Sequence, residues 1–195
     1  MMDLNLLYEA ILKGKQKDAI AYTNEAIAAN VSPKELIDNY MIKAMEEIGR
    51  RFEAQQAFVP ALLMAGRAMK ASLNILQPLL QIEGGDISIG KVVIGTVKGD
   101  LHDIGKNLVA SMFEGCGFQV IDVGIDVDSD KFIAAIKEHD ANILGMSALL
   151  TTTMPYMKTE IEALETAGLR QKEKEMISGE PVSAGFATEI GADAY

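Results

Sequence analysis

The 195-residue sequence is poor in the residues that make covalent cross-links or metal sites with several protein ligands. It has one cysteine, Cys116, and two histidines, His102 and His139. A single cysteine cannot close an internal disulfide, and a reducing cytoplasm therefore fits the chain best. Neither Cys116 nor His139 completes a metal site around His102, because a site built from protein ligands alone needs more donors near one another.

Long apolar runs and a basic surplus are also missing. No run of about 18 apolar residues is present, which excludes a transmembrane helix and predicts no membrane association. The N-terminus, Met-Met-Asp-Leu-Asn, lacks a basic start before an apolar stretch, so a signal peptide is not predicted. The formal net charge of −10 argues against nucleic acid, whose phosphates attract basic surfaces, and leaves a charged protein partner open.

The first part of the chain, residues 1–83, has a helical period. Apolar residues recur at intervals of three and four in four segments, and Ser32-Pro33-Lys34-Glu35 is typical of a helix start. The positions that mark the four segments include Leu7, Ile11, Tyr22, Ala26, Met41, Met45, Leu63 and Leu73. Four amphipathic helices with short connections predict a small bundle.

The second part, residues 91–195, alternates between short strand-forming runs and helical segments. Residues 84–90 begin with two glycines, which a short polar stretch follows, and they predict a linker between the two parts. Five strand–helix alternations predict a flavodoxin-like, Rossmann-type sheet of five parallel strands in the order 2-1-3-4-5. The fifth strand is predicted at the last residues, "ADAY".

A histidine lies in the loop that follows the first predicted strand. Sheets of this kind bind ligands where the strand order reverses, at the carboxyl ends of the strands. The loops at 99–103, 147–153 and 178–181 should meet there. Asp100 lies two residues before His102, close enough to accept a hydrogen bond from one imidazole nitrogen and leave the other free as a ligand. The alternative is an ordinary surface histidine beside an aspartate, Asp103, that caps the next helix.

Because further protein ligands are missing, His102 suits a single axial bond to a metal held by a macrocycle. The pattern Asp100-x-His102-x-x-Gly105, followed by Ser147-x-Leu149 and Ser178-Gly179, resembles the cobalamin-binding domain of methionine synthase. It also resembles the corrinoid proteins that serve methanol and methylamine methyltransferases. The resemblance covers the whole chain and implies that residues 1–83 form a helical cap domain.

The resemblance implies a role for each matching residue. His102 corresponds to the lower axial ligand of cobalt, bound in base-off form, Asp100 to the group that accepts from its imidazole, and Thr153 to a hydroxyl that extends this chain. The cofactor-binding residues implied in this way are Gly99, Asp100, His102, Asp103, Ile104, Gly105, Ser147, Leu149, Thr151, Thr153 and Gly179, together with Phe58 over the upper face. For Phe58 an ordinary place in the bundle core is the alternative.

The function implied is that of a methyl carrier in one-carbon metabolism, which is not an enzyme on its own. A substrate-specific methyltransferase would load a methyl group onto the cobalt, and a second methyltransferase would pass it to a thiol or a tetrahydrofolate-type acceptor. A reductive activation protein is a further expected partner. Two alternatives stay open: a cobalamin-dependent sensor or regulator, and the cobalamin-binding subunit of a carbon-skeleton mutase.

Overall fold

The computed structural model describes residues 3–82 and 89–195. The chain divides into two compact units, one formed by residues 1–89 with 111–117 and the other by residues 90–110 with 118–195. Residues 84–88 of the predicted linker lie outside the described residues. The predicted domain limits at residues 83 and 91 therefore stay a prediction.

The first unit is helical. In its described part the helices are α1 (Asn5–Leu12), α2 (Gln16–Ala28), α3 (Pro33–Leu36), a π-helical segment (Ile37–Met41), α4 (Ile42–Glu53) and α5 (Val59–Ile82). The segments α3, π and α4 follow one another without a break and form one continuous helical stretch. They share one core of fully buried side chains, which includes Leu7, Ile11, Leu36, Met41, Met69 and Leu76. Within 3–82 and 89–195 the helices are too short or too polar to cross a membrane.

The second unit is a parallel sheet with helices. Its elements are β1 (Lys91–Val97), the first part of α6 (Ile104–Gly115), β2 (Gln119–Val127), α7 (Ser129–His139), β3 (Ile143–Ser147), α8 (Met154–Thr166), β4 (Lys174–Ser178) and α9 (Ala184–Ile190). The strands pair in parallel in the order β2-β1-β3-β4. The strand order therefore reverses between β1 and β3, and the loops that follow these two strands lie at the same edge of the sheet.

The predicted fifth strand is wrong for the described residues, in which the sheet has four strands. Beyond β4 the structure has only an isolated bridge between Met176 and Ala194. The chain turns at Gly191, whose φ of 83° is left-handed, and only the next few residues run beside β4. The Ile177 N–H donates to the Ala194 carbonyl at 3.0 Å, and one such bridge is too short to count as a strand.

Strand β2 is irregular at its carboxyl end. Its register against β1 shifts twice. Ile94 pairs with Asp122 but Gly95 pairs with Gly124, which leaves one extra residue in β2. A second extra residue precedes Val127, which pairs with Val97. Extra residues of this kind form bulges that bend a strand and change the direction of the side chains that follow. The Asp122 carboxylate accepts the Gly124 N–H at 2.9 Å and so stabilises the first bulge.

A buried carboxyl makes the stability of this unit depend on pH. Glu160 on α8 is 2% exposed, and its Oε2 has no hydrogen-bond partner in the described part of the chain. Burial, with the negative charge of Asp128 in support, raises the pKa of Glu160 to about 7, although a hydrogen bond with Ser129 opposes the shift. The folded state therefore binds this proton more tightly than the unfolded chain does. The resulting stability is present below about pH 4.5 and is lost as the pH rises to about 7.

We expect Glu160→Gln to stabilise the protein by about 1–2 kcal/mol near pH 8, because the neutral amide is buried without the cost of a charge. The gain should nearly vanish near pH 5, where Glu160 is protonated already. Urea unfolding near pH 8 and near pH 5 measures the gain in unfolding free energy at each pH. The control is Glu162→Gln on the same helix, whose side chain is 62% exposed and lies 4.0 Å from Lys158. An equal gain from Glu162→Gln would contradict the assignment to burial.

Candidate functional site

The loop between β1 and α6 carries His102 at the carboxyl edge of the sheet. Buried Thr96, near the end of β1, donates its hydroxyl to the His102 carbonyl at 2.8 Å. The Asp100 N–H donates to the Val97 carbonyl at 3.1 Å, and Gly99 adopts a left-handed φ of 80°. These bonds turn the chain sharply after the strand. The His102 side chain consequently stays 51% exposed although its backbone is tied to the sheet.

The imidazole of His102 is oriented by Asp100. Its Nδ1 lies 2.7 Å from Oδ1 of Asp100, and the His102 backbone N–H donates to the same oxygen at 3.0 Å. Asp100 is fully buried, with 0% exposure. Because an ionised carboxylate only accepts hydrogen bonds, it holds the imidazole proton on Nδ1. The Nε2 atom then carries a lone pair and is able to act as a ligand.

The second oxygen of Asp100 joins the histidine loop to the loop after β3. Its Oδ2 accepts the Leu149 N–H at 2.8 Å, the Leu150 N–H at 3.3 Å and the Thr153 hydroxyl at 2.7 Å. Burial alone would raise the pKa of Asp100, but the hydrogen bonds from Thr153, His102 and Leu149 outweigh burial and hold it well below its ordinary value. Asp100 is therefore ionised at neutral pH, as its role as an acceptor of several donors requires.

A cavity of about 440 Å³ opens beside His102. Three loops of the second unit surround it, the ones that follow β1, β3 and β4. Its lining consists of Leu101, His102, Asp103, Ile104, Gly105, Leu108, Val109, Ser147, Ala148, Leu149, Ser178, Gly179 and Glu180. The volume lies in the range of small-molecule sites, and most of the lining is apolar with a few polar groups, as such sites usually are.

Gly179 allows the loops after β3 and β4 to come close together at this cavity. Its φ of 151° lies in a region that L side chains rarely adopt, and a Cβ atom there would lie 1.8 Å from the Ala148 carbonyl oxygen. The Ala148 N–H donates to the Ser178 carbonyl at 3.0 Å, which closes the contact. Any side chain at position 179 would push these two loops apart.

The structure brings together most, though not all, of the residues predicted for the site. Seven of them line the cavity: His102, Asp103, Ile104, Gly105, Ser147, Leu149 and Gly179. Gly99 and Asp100 belong to the same loop as His102. Asp100 bonds to the His102 imidazole and accepts the Thr153 hydroxyl. Thr151 is exposed and does not line the cavity.

Phe58 belongs to the helical unit. It is 73% exposed there, so the alternative of a bundle core residue is wrong. It lines a separate cavity of about 490 Å³ with residues of α1, α4 and α5. A contact between Phe58 and a cofactor stays a prediction.

Several residues of the site were missed from the sequence. Leu108 follows Ile104 by one helical turn, a signal that α6 lines the cavity with one apolar face. Thr96 lies within strand β1, and the sequence does not show that its hydroxyl bonds to the His102 carbonyl. Across the described ranges 3–82 and 89–195, no three His, Cys, Asp or Glu side chains are placed to hold a metal ion.

Comparisons with known proteins show which family this chain resembles. A family model described as a B12 binding domain matches residues 90–195, and a second one with the same description matches residues 4–77. The dimethylamine corrinoid protein of Methanosarcina barkeri is 40% identical over 192 residues, covering 98% of this chain and 90% of that protein.

Two solved structures are similar over nearly the whole chain. A cobalamin-binding protein from Desulfitobacterium hafniense is 33% identical with a TM-score of 0.84, and the match covers 100% of this chain and 92% of that one. A chain of the methanol:cobalamin methyltransferase complex from Methanosarcina barkeri is 28% identical with a TM-score of 0.77, covering 95% of this chain and 71% of that one.

Proposed function

The chain belongs to the corrinoid protein family with B12 binding domains, and from this premise we propose that it binds a cobalamin-type corrinoid and carries a methyl group on the cobalt. The observation that carries the proposal is the His102–Asp100 pair, whose histidine lines a cavity of about 440 Å³. A methyl carrier needs a ligand that is held rigidly beside a slot, and both features occur at the same edge of the sheet.

The residues present fit the lower half of such a cofactor. His102 keeps a lone pair on Nε2 and is half-exposed, so it is the residue that would bind cobalt. The cavity beside it would take the nucleotide tail in base-off form, between α6 and the loops at Leu149 and Gly179. A Cβ atom built on Gly105 meets nothing within 4 Å, and the slot is therefore open to a bulky group at this point.

The cofactor, when bound, supplies a cobalt that accepts and releases the methyl group. The chain's own residues fix the position of one proton, the one on the His102 imidazole. Asp100 stays ionised, because its pKa is held low, and it keeps the imidazole proton on Nδ1 throughout. Five hydrogen bonds fix the carboxylate, so the imidazole ring cannot turn without losing its own bond to an acceptor that stays in place. The Nε2 atom that would bind cobalt is thus held in position by the chain itself.

The partners proposed are methyltransferases of the cytoplasm. A relative named for dimethylamine and a similar chain from a methanol:cobalamin methyltransferase complex support a methyltransferase as the methyl donor partner. Methyl transfer should be assayed with the reconstituted protein, each methyltransferase and its substrate, dimethylamine or methanol. Methyl transfer with one of them supports the carrier function. A cobalamin-loaded protein that accepts a methyl group from neither would contradict this choice of partners.

The ligation itself is tested by nitrogen isotopes. The protein is made with ¹⁵N-labelled histidine, loaded with cobalamin and reduced to the cobalt(II) state for electron paramagnetic resonance. If a histidine of the protein binds cobalt, the superhyperfine triplet from an ordinary nitrogen becomes a doublet. A triplet that persists with the label would mean that the cofactor's own benzimidazole stays bound, and base-off binding would then be wrong.

Asp100→Asn should weaken cobalamin binding by about 10–100-fold, the usual effect of changing a group that orients a metal ligand. The two Asp100 oxygens together accept five hydrogen bonds, and asparagine replaces one of these oxygens by an NH2 group, which donates. At least one backbone N–H then loses its acceptor. Titration with cobalamin measures the loss. The control is Asp140→Asn, which changes an exposed aspartate at the end of α7 that does not line the cavity. An equal loss in both variants would contradict a special role for Asp100.

A further inference from the structure

The bulged end of β2 contacts the histidine loop through Asp126. Oδ1 of Asp126 accepts the Gly99 N–H at 2.7 Å, and the Asp126 N–H donates to the Asp100 carbonyl at 3.1 Å. We propose that Asp126 is a positioning residue, which fixes the backbone of Gly99 and Asp100 and thereby holds His102 ready to bind cobalt. The part of the proposal that concerns cobalt rests on the proposed function.

The two bonds depend on an unusual backbone at Asp126. Its φ of 51° is left-handed, a conformation in which aspartate, asparagine and glycine are the residues usually found. In this conformation both its N–H and its carboxylate face the histidine loop. The first register shift of β2 precedes Asp126, and the second, between Gly124 and Val127, includes it. The strand is therefore built so that one residue holds the loop at two points.

The loop has other backbone hydrogen bonds, at the Asp100 N–H and the His102 carbonyl, but the Gly99 N–H and the Asp100 carbonyl are held by Asp126. Gly99 has a φ of 80°, and glycine has more freedom than any other residue to leave such a conformation. The hydrogen bonds from Leu149 and Thr153 hold the Asp100 carboxylate but not its peptide groups. Without Asp126 the Gly99–Asp100 segment should sample other conformations, and His102, which is bonded twice to Asp100, should move with it.

Three variants separate the backbone conformation from the hydrogen bond. Asp126→Asn keeps both, because its amide oxygen accepts from Gly99 and asparagine tolerates a left-handed φ. Asp126→Gly keeps the conformation and removes the acceptor, and Asp126→Ala loses both. The matched control is Asp140→Gly, since Asp140 is also an exposed aspartate at a left-handed φ of 50° but lies at the end of α7.

The first measurement is hydrogen exchange of the His102 and Leu149 amides in the protein without cofactor. Neither amide bonds to Asp126, so a faster exchange reports movement of the loop. Asp126→Gly should speed both by roughly fivefold, the effect of losing one hydrogen bond at an exposed site. Asp126→Asn and Asp140→Gly should leave both rates unchanged, and amides of the buried strand β1 such as Val93 should stay protected in all variants that fold.

The second measurement is the histidine-derived doublet of the ¹⁵N-labelled, cobalamin-loaded protein. Asp126→Gly should lower the fraction of cobalt bound to histidine at saturating cobalamin, and Asp126→Asn should restore it. If both amide rates and the doublet are unchanged in Asp126→Gly, the positioning role is wrong. If the wild-type protein gives no doublet while the exchange rates change as expected, the ligation by His102 is wrong and the support of the loop stands.

Discussion

Replacement of His102 by alanine should remove the nitrogen proposed to bind cobalt and weaken cobalamin binding by on the order of 100-fold or more. Changing a group that only orients a ligand typically costs about 10–100-fold, and the ligand itself should cost at least as much. The doublet in the ¹⁵N-histidine sample should disappear at the same time. Asp100 keeps its bonds to Leu149, Leu150 and Thr153, so the protein should stay folded.

The second histidine provides the control for this result. His139 ends α7 and is half-buried, and its carbonyl accepts a hydrogen bond from the Lys91 side chain at 2.8 Å, which an alanine also allows. His139→Ala should therefore keep both the doublet and the affinity. A His102→Ala protein that binds cobalamin with an unchanged cobalt spectrum would show that His102 is not the ligand.

The position of His102 could be predicted because the pattern is local. A strand-forming run ends at Val97, the glycine-rich turn follows, and Asp100 is two residues from His102. Since the carboxyl ends of parallel strands meet at one edge, the loops after β3 and β4 could be placed beside it from the strand order alone. The structure places Ser147 and Gly179 on the same cavity as His102.

The role of Asp126 could not be predicted in the same way. Its contact with Gly99 depends on two register shifts in β2, and a sequence read with a strict period of two gives no sign of a bulge. The predicted fifth strand failed for a related reason. Residues after Gly191 have no strand period of their own, and only the structure shows how few of them lie beside β4.

The second large effect is expected at Gly179. Gly179→Ala should destabilise the protein by about 3 kcal/mol or more, because the new Cβ atom would lie 1.8 Å from the Ala148 carbonyl oxygen at a φ of 151°. Backbone atoms cannot turn away as a flexible side chain does, so the loops after β3 and β4 must separate. The cavity beside His102 should lose its shape, and cobalamin binding should fall with stability. Urea unfolding and cobalamin titration measure the two effects.

Two other glycines separate the causes. Gly191 has a left-handed φ of 83°, and a Cβ atom added there would meet nothing within 4 Å, so Gly191→Ala should cost only the backbone strain, about 1 kcal/mol. Gly105 has no positive φ and equally open space, and it lines the cavity. Gly105→Ala should therefore leave stability unchanged or slightly higher, since alanine favours a helix, while it narrows the slot and weakens cobalamin binding. If Gly179→Ala costs no more stability than Gly191→Ala, the close approach of Gly179 to Ala148 does not control this edge of the sheet.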